Sequence, residues 1–322
     1  MKRFRLPIRV LAVLAAAIGS AGLWGCGSPG NCDTFVEDYC ARFSECEPGI
    51  YAFLSGGDAA TCRARFLPAC TQSITIDGAK LSSDVAGQCG KSIRSASCDD
   101  LLSGHLPDVC TPPGTRADGA SCSDALQCAS TRCTGSATTC GSCVPRLKVG
   151  EPCQSSDQCQ YGLYCKTAGA SQGACTAFAQ LGQACDATSS CLPTLFCNTG
   201  GQVSGSCAAR RAAGEDCSRN TDCDGQKSLT CDPTSKKCVP YTVNYVAVGG
   251  SCSNTLVMAS YNLCSKDAHC VTTAGTGGGS TSTCVAAMAA GQPCNNLDTE
   301  CAAGLTCTNK VCQVRAAPMS CQ

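Results

Sequence analysis

An apolar stretch from Val10 to Trp24, built mainly of Val, Leu, Ala and Ile, follows a start, Met1 to Arg9, that carries four positive charges. This is the charged n-region and apolar h-region of an export signal. The stretch is shorter than the about 20 residues that a membrane-crossing helix needs. A different pattern begins at residue 32. Phe35, Tyr39 and Phe43 recur every four residues, as do Val36 and Cys40, and then Cys62, Phe66 and Cys70. Val85, Cys89 and Ile93 repeat the step more weakly, because Gly87 and Gly90 intrude. That period predicts amphipathic helices. Thr34-Phe35-Val36-Glu37 has the form of a capping box, Asp58 is a candidate cap with Pro68 near the end of its helix, and Asp99-Asp100-Leu101-Leu102 opens a last short helix before Pro107. Residues 32–110 therefore read as a bundle of three or four short helices pinned by about four disulfides.

After the breaker cluster Thr111-Pro112-Pro113-Gly114, helical periodicity gives way to repeats. Each unit starts with Gly-x-x-Cys: Gly119…Cys122, Gly150…Cys153, Gly182…Cys185, Gly214…Cys217, Gly249…Cys252 and Gly291…Cys294. The clearest units run Cys153/Cys159/Cys165/Cys175 and Cys185/Cys191/Cys197/Cys207. Cys217/Cys223/Cys231/Cys238 and Cys294/Cys301/Cys307/Cys312 are close variants, and Cys252/Cys264/Cys270/Cys284 carries two insertions. Leu163, Leu195, Leu229 and Leu305 each stand two before a third cysteine. The glycine supplies a turn, needed either because a side chain would clash or because φ is positive. The cysteines and one apolar residue fill a minimal core, and the third loop absorbs length. Gly275-Thr276-Gly277-Gly278-Gly279-Ser280 is a flexible tip of that loop without the Lys-Ser/Thr end of a phosphate loop. The expected arrangement is beads or a rod with contacts between neighbours alone.

The boundaries read as a signal at 1–25, a tether at 26–31, the helical cysteine-rich domain at 32–110, a linker at 111–118, and repeats at 119–148, 149–180, 181–212, 213–247, 248–289 and 290–322. The fold class is small and disulfide-rich: a short helical domain followed by six loop-rich modules with little regular secondary structure.

Thirty-five of 322 residues are cysteine, above the level of a disulfide scaffold, and such usage calls for an oxidising compartment. The helical part holds Cys32, Cys40, Cys46, Cys62, Cys70, Cys89, Cys98 and Cys110. The first repeat holds Cys122, Cys128, Cys133, Cys140 and Cys143, and Cys321 stands alone near the end. With the later repeats and without Cys26 the count is even, as an exported disulfide framework requires. The junction Leu23-Trp24-Gly25-Cys26 resembles a bacterial lipoprotein signal with its lipobox. The resemblance implies cleavage before Cys26, a diacylglycerol thioether on its sulfur and an acylated amino group. Two or more acyl chains anchor a protein stably. By the same analogy Gly27, in place of an Asp, points to the outer membrane. The competing reading is ordinary cleavage after a small residue such as Ala21, which leaves Cys26 a free thiol and the cysteine count odd.

Cys122-x5-Cys128-x4-Cys133-x6-Cys140-Gly-Ser-Cys143, then Cys153-x5-Cys159-x5-Cys165, resembles the N-terminal cysteine-rich domain of Dickkopf proteins over roughly one sixth of the chain. Where that family has a Cys-Cys doublet this chain has Cys159-Gln160, so one partner of a family disulfide is missing. The resemblance implies a disulfide-stapled, loop-presenting scaffold, without the animal signalling role. If modules close internally, Cys321 and one surplus cysteine of the first repeat, Cys140 or Cys143, are left to pair with each other, unless the pairing register shifts between units.

The chain is formally neutral, and loss of Lys2, Arg3, Arg5 and Arg9 with the signal leaves it slightly acidic. No basic field for nucleic acid remains. Arg210-Arg211 and Lys236-Lys237 read as solvated loop charges. Cys140-Gly-Ser-Cys143 is the one C-x-x-C, set among repeats rather than at a helix N-terminus where a thiol pKa falls. The two histidines, His105 and His269, lie in different modules and complete neither a zinc set nor a nucleophile–base pair. Asp99-Asp100 needs no role beyond charge at a helix N-terminus. Tyr241–Val248 is a candidate extended recognition strand. These observations point away from an enzyme, a metal or a cofactor. They point to an exported, lipid-anchored binding or structural scaffold, for adhesion, as a stalk or for presenting modules to a protein or envelope partner, at the outer membrane or cell surface. The rival readings are an extracellular protease-inhibitor-like protein and a thiol–disulfide redox protein.

Overall fold

The computed structural model describes residues 30–167, 172–186, 190–257, 260–274, 280–295, 297–314 and 319–321. Five α-helices lie among the described residues: α1 (Gly30–Cys46), α2 (Pro48–Ser55), α3 (Ala59–Ser73), α4 (Ser83–Ser95) and α5 (Cys98–Ser103). The sequence predicts three or four. The additional one, α2, starts on Pro48, whose fixed φ suits a first helical turn, and stops at Gly56 in the left-handed region. Thr34 lies inside α1 rather than at its cap. Asp58 does cap α3, its Oδ2 accepting from Thr61 N at 3.0 Å and Thr61 Oγ1 at 2.7 Å. Pro68 sits within α3, which runs on to Ser73. Ser82 and Ser97 cap α4 and α5. Gly87 and Gly90 are close-approach positions rather than interruptions. A Cβ on Gly90 would stand 2.6 Å from Phe35 Cα, and one on Gly87 would stand 3.2 Å from Asn31. Cys32–Cys70 and Cys40–Cys62 tie α1 to α3, and Cys89–Cys110 closes the chain after α4. Cys46 and Cys98 are also disulfide-bonded. Tyr39, 1% exposed, stacks on Phe43 and meets Phe66 edge-on at 5.2 Å.

All six repeats share one disulfide pattern, first cysteine to third and second to last. The bonds are Cys122–Cys133 and Cys128–Cys143, Cys153–Cys165 and Cys159–Cys175, Cys185–Cys197 and Cys191–Cys207. They continue as Cys217–Cys231 and Cys223–Cys238, Cys252–Cys270 and Cys264–Cys284, Cys294–Cys307 and Cys301–Cys312. The protein is thus a disulfide-rich fold with 17 bonds and short elements. In each module the third and last cysteines face each other across an antiparallel pair, as Cys165 faces Cys175 and Cys307 faces Cys312. Cysteines dominate the module cores, with Leu163, Leu229 and Leu305 packed among them.

The module glycines settle why glycine is required there. Gly119, Gly150, Gly182, Gly214, Gly249 and Gly291 all have φ between 84° and 89° or close to it, at 81° in Gly182. Nothing lies within 4 Å of a Cβ built on any of them. Positive φ, not crowding, is the reason. Each is the third residue of a turn closed by a hydrogen bond, for example Glu151 N to Lys148 O at 3.1 Å, the geometry of a type II turn. Each glycine N–H then donates to the carbonyl of its module's last cysteine, as Gly150 does to Cys175 and Gly291 to Cys312. That cysteine's N–H returns a bond to the residue after the glycine. The Glu or Gln at that following position adds a further bond, Glu151, Gln183 and Glu215 each accepting from the first N–H of the turn.

Contacts divide the chain into two units. One takes the described residues up to Asp38, Ala69–Ala209 and the described residues from 316 on, hence modules one to three. The other takes Tyr39–Pro68 and Arg210–Arg315, hence modules four to six. Within each unit the contacts are not restricted to sequence neighbours, contrary to the beads-or-rod expectation. In the first, Cys140 bonds Cys321, 181 residues away, and Asp99 at the start of α5 accepts from Thr194 N and Oγ1 of module three at 2.8 Å. Asp99 therefore does more than place charge at a helix end. In the second, Lys266 of module five stands 4.0 Å from Asp58 Oδ2 of the helical part, Thr242–Val246 pairs in parallel with Ser260–Cys264 of the next module, and Tyr241 meets Tyr261 edge-on at 5.3 Å. The Thr242–Val246 segment is thus an extended strand, and it lies at the edge of its sheet.

Candidate functional site

Cys26, the lipidation candidate, lies outside the described residues, as do the leader and Gly275 to Gly279 of the glycine-rich tip. Among the described residues no helix is long and apolar enough to cross a membrane. All 34 cysteines from Cys32 to Cys321 are disulfide-bonded. Sulfur triplets such as Cys122, Cys128 and Cys143 lie within 4.8 Å of one another, but these are two bonds packed together, with no thiolate to offer a metal. The Cys140-Gly-Ser-Cys143 pair is divided between two partners, Cys321 and Cys128. It does not form the dithiol–disulfide couple of a redox motif.

A cavity of about 310 Å³ lies in the first unit. Phe35 of α1, Leu81, Ala86 of α4 and Leu106 meet Ala125 and Leu126 of module one to form its apolar lining. Arg132, Arg146, Asp124, Asp157 and Tyr161 supply the polar side. Arg146 is the structural centre of this wall. Its Nε donates to Thr131 Oγ1 at 3.1 Å and Nη1 to the carbonyls of Asp157 and Cys159 at 2.9 and 3.1 Å. Nη2 donates to Thr131 O at 2.8 Å and Tyr161 Oη at 3.0 Å, and the guanidinium lies 4.1 Å over the Tyr161 ring. All five N–H groups are used, and they join module one to module two. Arg132 differs. Its side chain makes one hydrogen bond, Nη1 to Pro145 O at 2.9 Å. Burial pushes its pKa down, opposed by Asp157 and reinforced by Arg146. No motif in the sequence marks this wall, because its residues come from three separate segments.

A smaller cavity of about 80 Å³ in the second unit is lined by Phe53, Arg65, Lys266, His269 and Glu300 among others. His269 is 8% exposed, and its Nδ1 has no hydrogen-bond partner among the described residues. Burial lowers its pKa and Glu300 raises it in part. His105 by contrast stands at the surface, its Nδ1 3.1 Å from Asp100 Oδ1. The basic pairs are also engaged: Lys237 pairs with Asp216 at 2.7 Å, Arg211 donates to Asp216 O, and the positive charge of Arg210 opposes the upward pKa shift that burial imposes on Glu47.

No family model, no curated protein and no solved structure matches the chain.

Proposed function

We propose that the protein is an exported envelope lipoprotein, tethered through Cys26, whose modules form a disulfide-braced scaffold that presents loops to a protein or envelope partner. The observation that supports this reading most is the constancy of the frame against the variability of what it carries. Every module closes with the same two bonds and the same glycine turn. The stretch between third and last cysteines meanwhile runs from four residues in Cys307–Cys312 to thirteen in Cys270–Cys284. A frame held by covalent bonds tolerates such loop changes, because loop closure costs grow slowly with length. Seventeen disulfides in a chain with an export signal fit a protein working outside the cytoplasm. The lipobox resemblance supports the anchor at the outer membrane, and the Dickkopf-like spacing of modules one and two supports the loop-presenting role. Labelled fatty acid fed to expressing cells should enter the wild type and not Cys26→Ser. Equal labelling of both overturns the anchor.

A further inference from the structure

Independently of the anchor, we propose that the 310 Å³ cavity of the first unit is a binding site for a small organic acid. The ligand has a compact aromatic or branched aliphatic body and one carboxylate, which Arg132 receives. The size fits: small-molecule pockets begin at about 300 Å³, and a cavity of about 150 Å³ takes a benzene, so the space holds a ring with a short chain. The surface fits as well. Phe35, Leu81, Ala86, Leu106 and Leu126 offer an apolar seat from both the helical part and module one.

The charged groups select the head. Arg146 has no donor left for a ligand, yet its acceptors are neutral, so its charge adds a positive field. Arg132 spends one N–H on Pro145 O and makes no other side-chain hydrogen bond among the described residues, while the negative charge of Asp157 acts on it. A guanidinium with an unused fork is matched to a carboxylate, which takes two parallel bonds from it. Asp124 and Asp157 share the lining, and Asp124 Oδ1 is held by Leu126 N at 2.8 Å. Two carboxylates in the wall disfavour a multiply charged anion such as a phosphate monoester and leave room for a single negative charge at Arg132.

Isothermal titration of the full chain with phenylbutyrate, phenylbutanol and phenylbutylamine tests this. The acid should bind, with the alcohol weaker by about tenfold or more, as expected for loss of a charge-assisted bond, and the amine without measurable binding. Arg132→Gln should bring the acid down to the alcohol's affinity and leave the alcohol unchanged. Leu106→Trp, which fills the apolar end, should abolish both. Equal affinity of acid and alcohol in the wild type, preference for the amine, absence of acid binding at millimolar concentration, or an Arg132→Gln protein that binds the acid as the wild type does would each overturn the proposal. The wild-type comparison of acid with alcohol decides without any variant.

Discussion

Cys165 and Cys175 lie directly opposite each other in adjacent strands, yet each is bonded elsewhere, Cys165 to Cys153 and Cys175 to Cys159. The same relation holds for the third and last cysteines of the other modules. The hairpin therefore carries two sulfurs on one face and receives two more from the segment before it, so four side chains make a core where a larger domain would need many. A module of some thirty residues buries too little apolar surface to fold on that alone. Crossed disulfides supply the stability by restricting the unfolded chain, and closing a loop of about 15 residues is worth roughly 3 kcal/mol in the chain-entropy model.

The two kinds of glycine should respond differently to alanine. Gly150 has φ of 85° and open space around its Cβ position, so Gly150→Ala should cost about 1–2 kcal/mol from backbone strain. Gly150→Asn should cost less, since Asn tolerates that region. Gly90 is helical, and its Cβ would meet Phe35 Cα at 2.6 Å. Both Gly90→Ala and Gly90→Asn should then destabilise by about 1–3 kcal/mol through overpacking, with no rescue by Asn. Thermal unfolding of the oxidised proteins separates the two patterns. Equal behaviour of the two Gly150 variants contradicts the turn argument.

Arg146 should matter to stability as the joint between modules one and two. Five N–H groups bind carbonyl and hydroxyl oxygens on both modules. Hydrogen bonds to a charged group are worth about 1.5–3 kcal/mol each when lost. Arg146→Lys keeps the charge and loses the planar fork, and it should destabilise by about 2 kcal/mol or more. Hydrogen exchange should quicken at Leu147 and Gln160, whose N–H groups pair the two modules. Unchanged exchange there contradicts the role.

His269 is buried, and desolvation holds its pKa below the ordinary 6.5. The unfolded chain thus binds a proton in a range where the folded one does not. Stability is complete above about pH 6.5 and falls as the pH drops through the window beneath it. In an NMR titration of the two histidines, His269 should titrate below 6.5. His269→Phe should flatten the stability profile in the window just below about pH 6.5. A His269 midpoint at or above 6.5 contradicts the burial, and the neighbouring Glu300 then outweighs it.

Cysteine spacing and helical period carried much of this fold. Gly-x-x-Cys marks every turn, and Phe35, Tyr39, Phe43 and Cys62, Phe66, Cys70 mark the main buried faces of α1 and α3. The strands were not legible, because cysteines pack against one another whichever way the chain pleats and no period of two results. The sequence leaves the choice of Cys140 or Cys143 as partner of Cys321 open, since the two stand three residues apart in one repeat and three-dimensional proximity decides. Gly87 and Gly90 looked like breaks because closeness to Phe35 and Asn31 leaves no trace in local pattern. The wall of Arg132, Arg146 and Tyr161 likewise arises from segments that meet only in space.

Covalent bracing outside the cytoplasm is the claim on which the rest depends, and peptide mapping of the unreduced mature protein by mass spectrometry tests it most directly. The account predicts no free thiol from Cys32 to Cys321, first-to-third and second-to-last links in all six modules, and a Cys140–Cys321 peptide. Cys321 linked within its own module, or a substantial set of reduced cysteines, would contradict it.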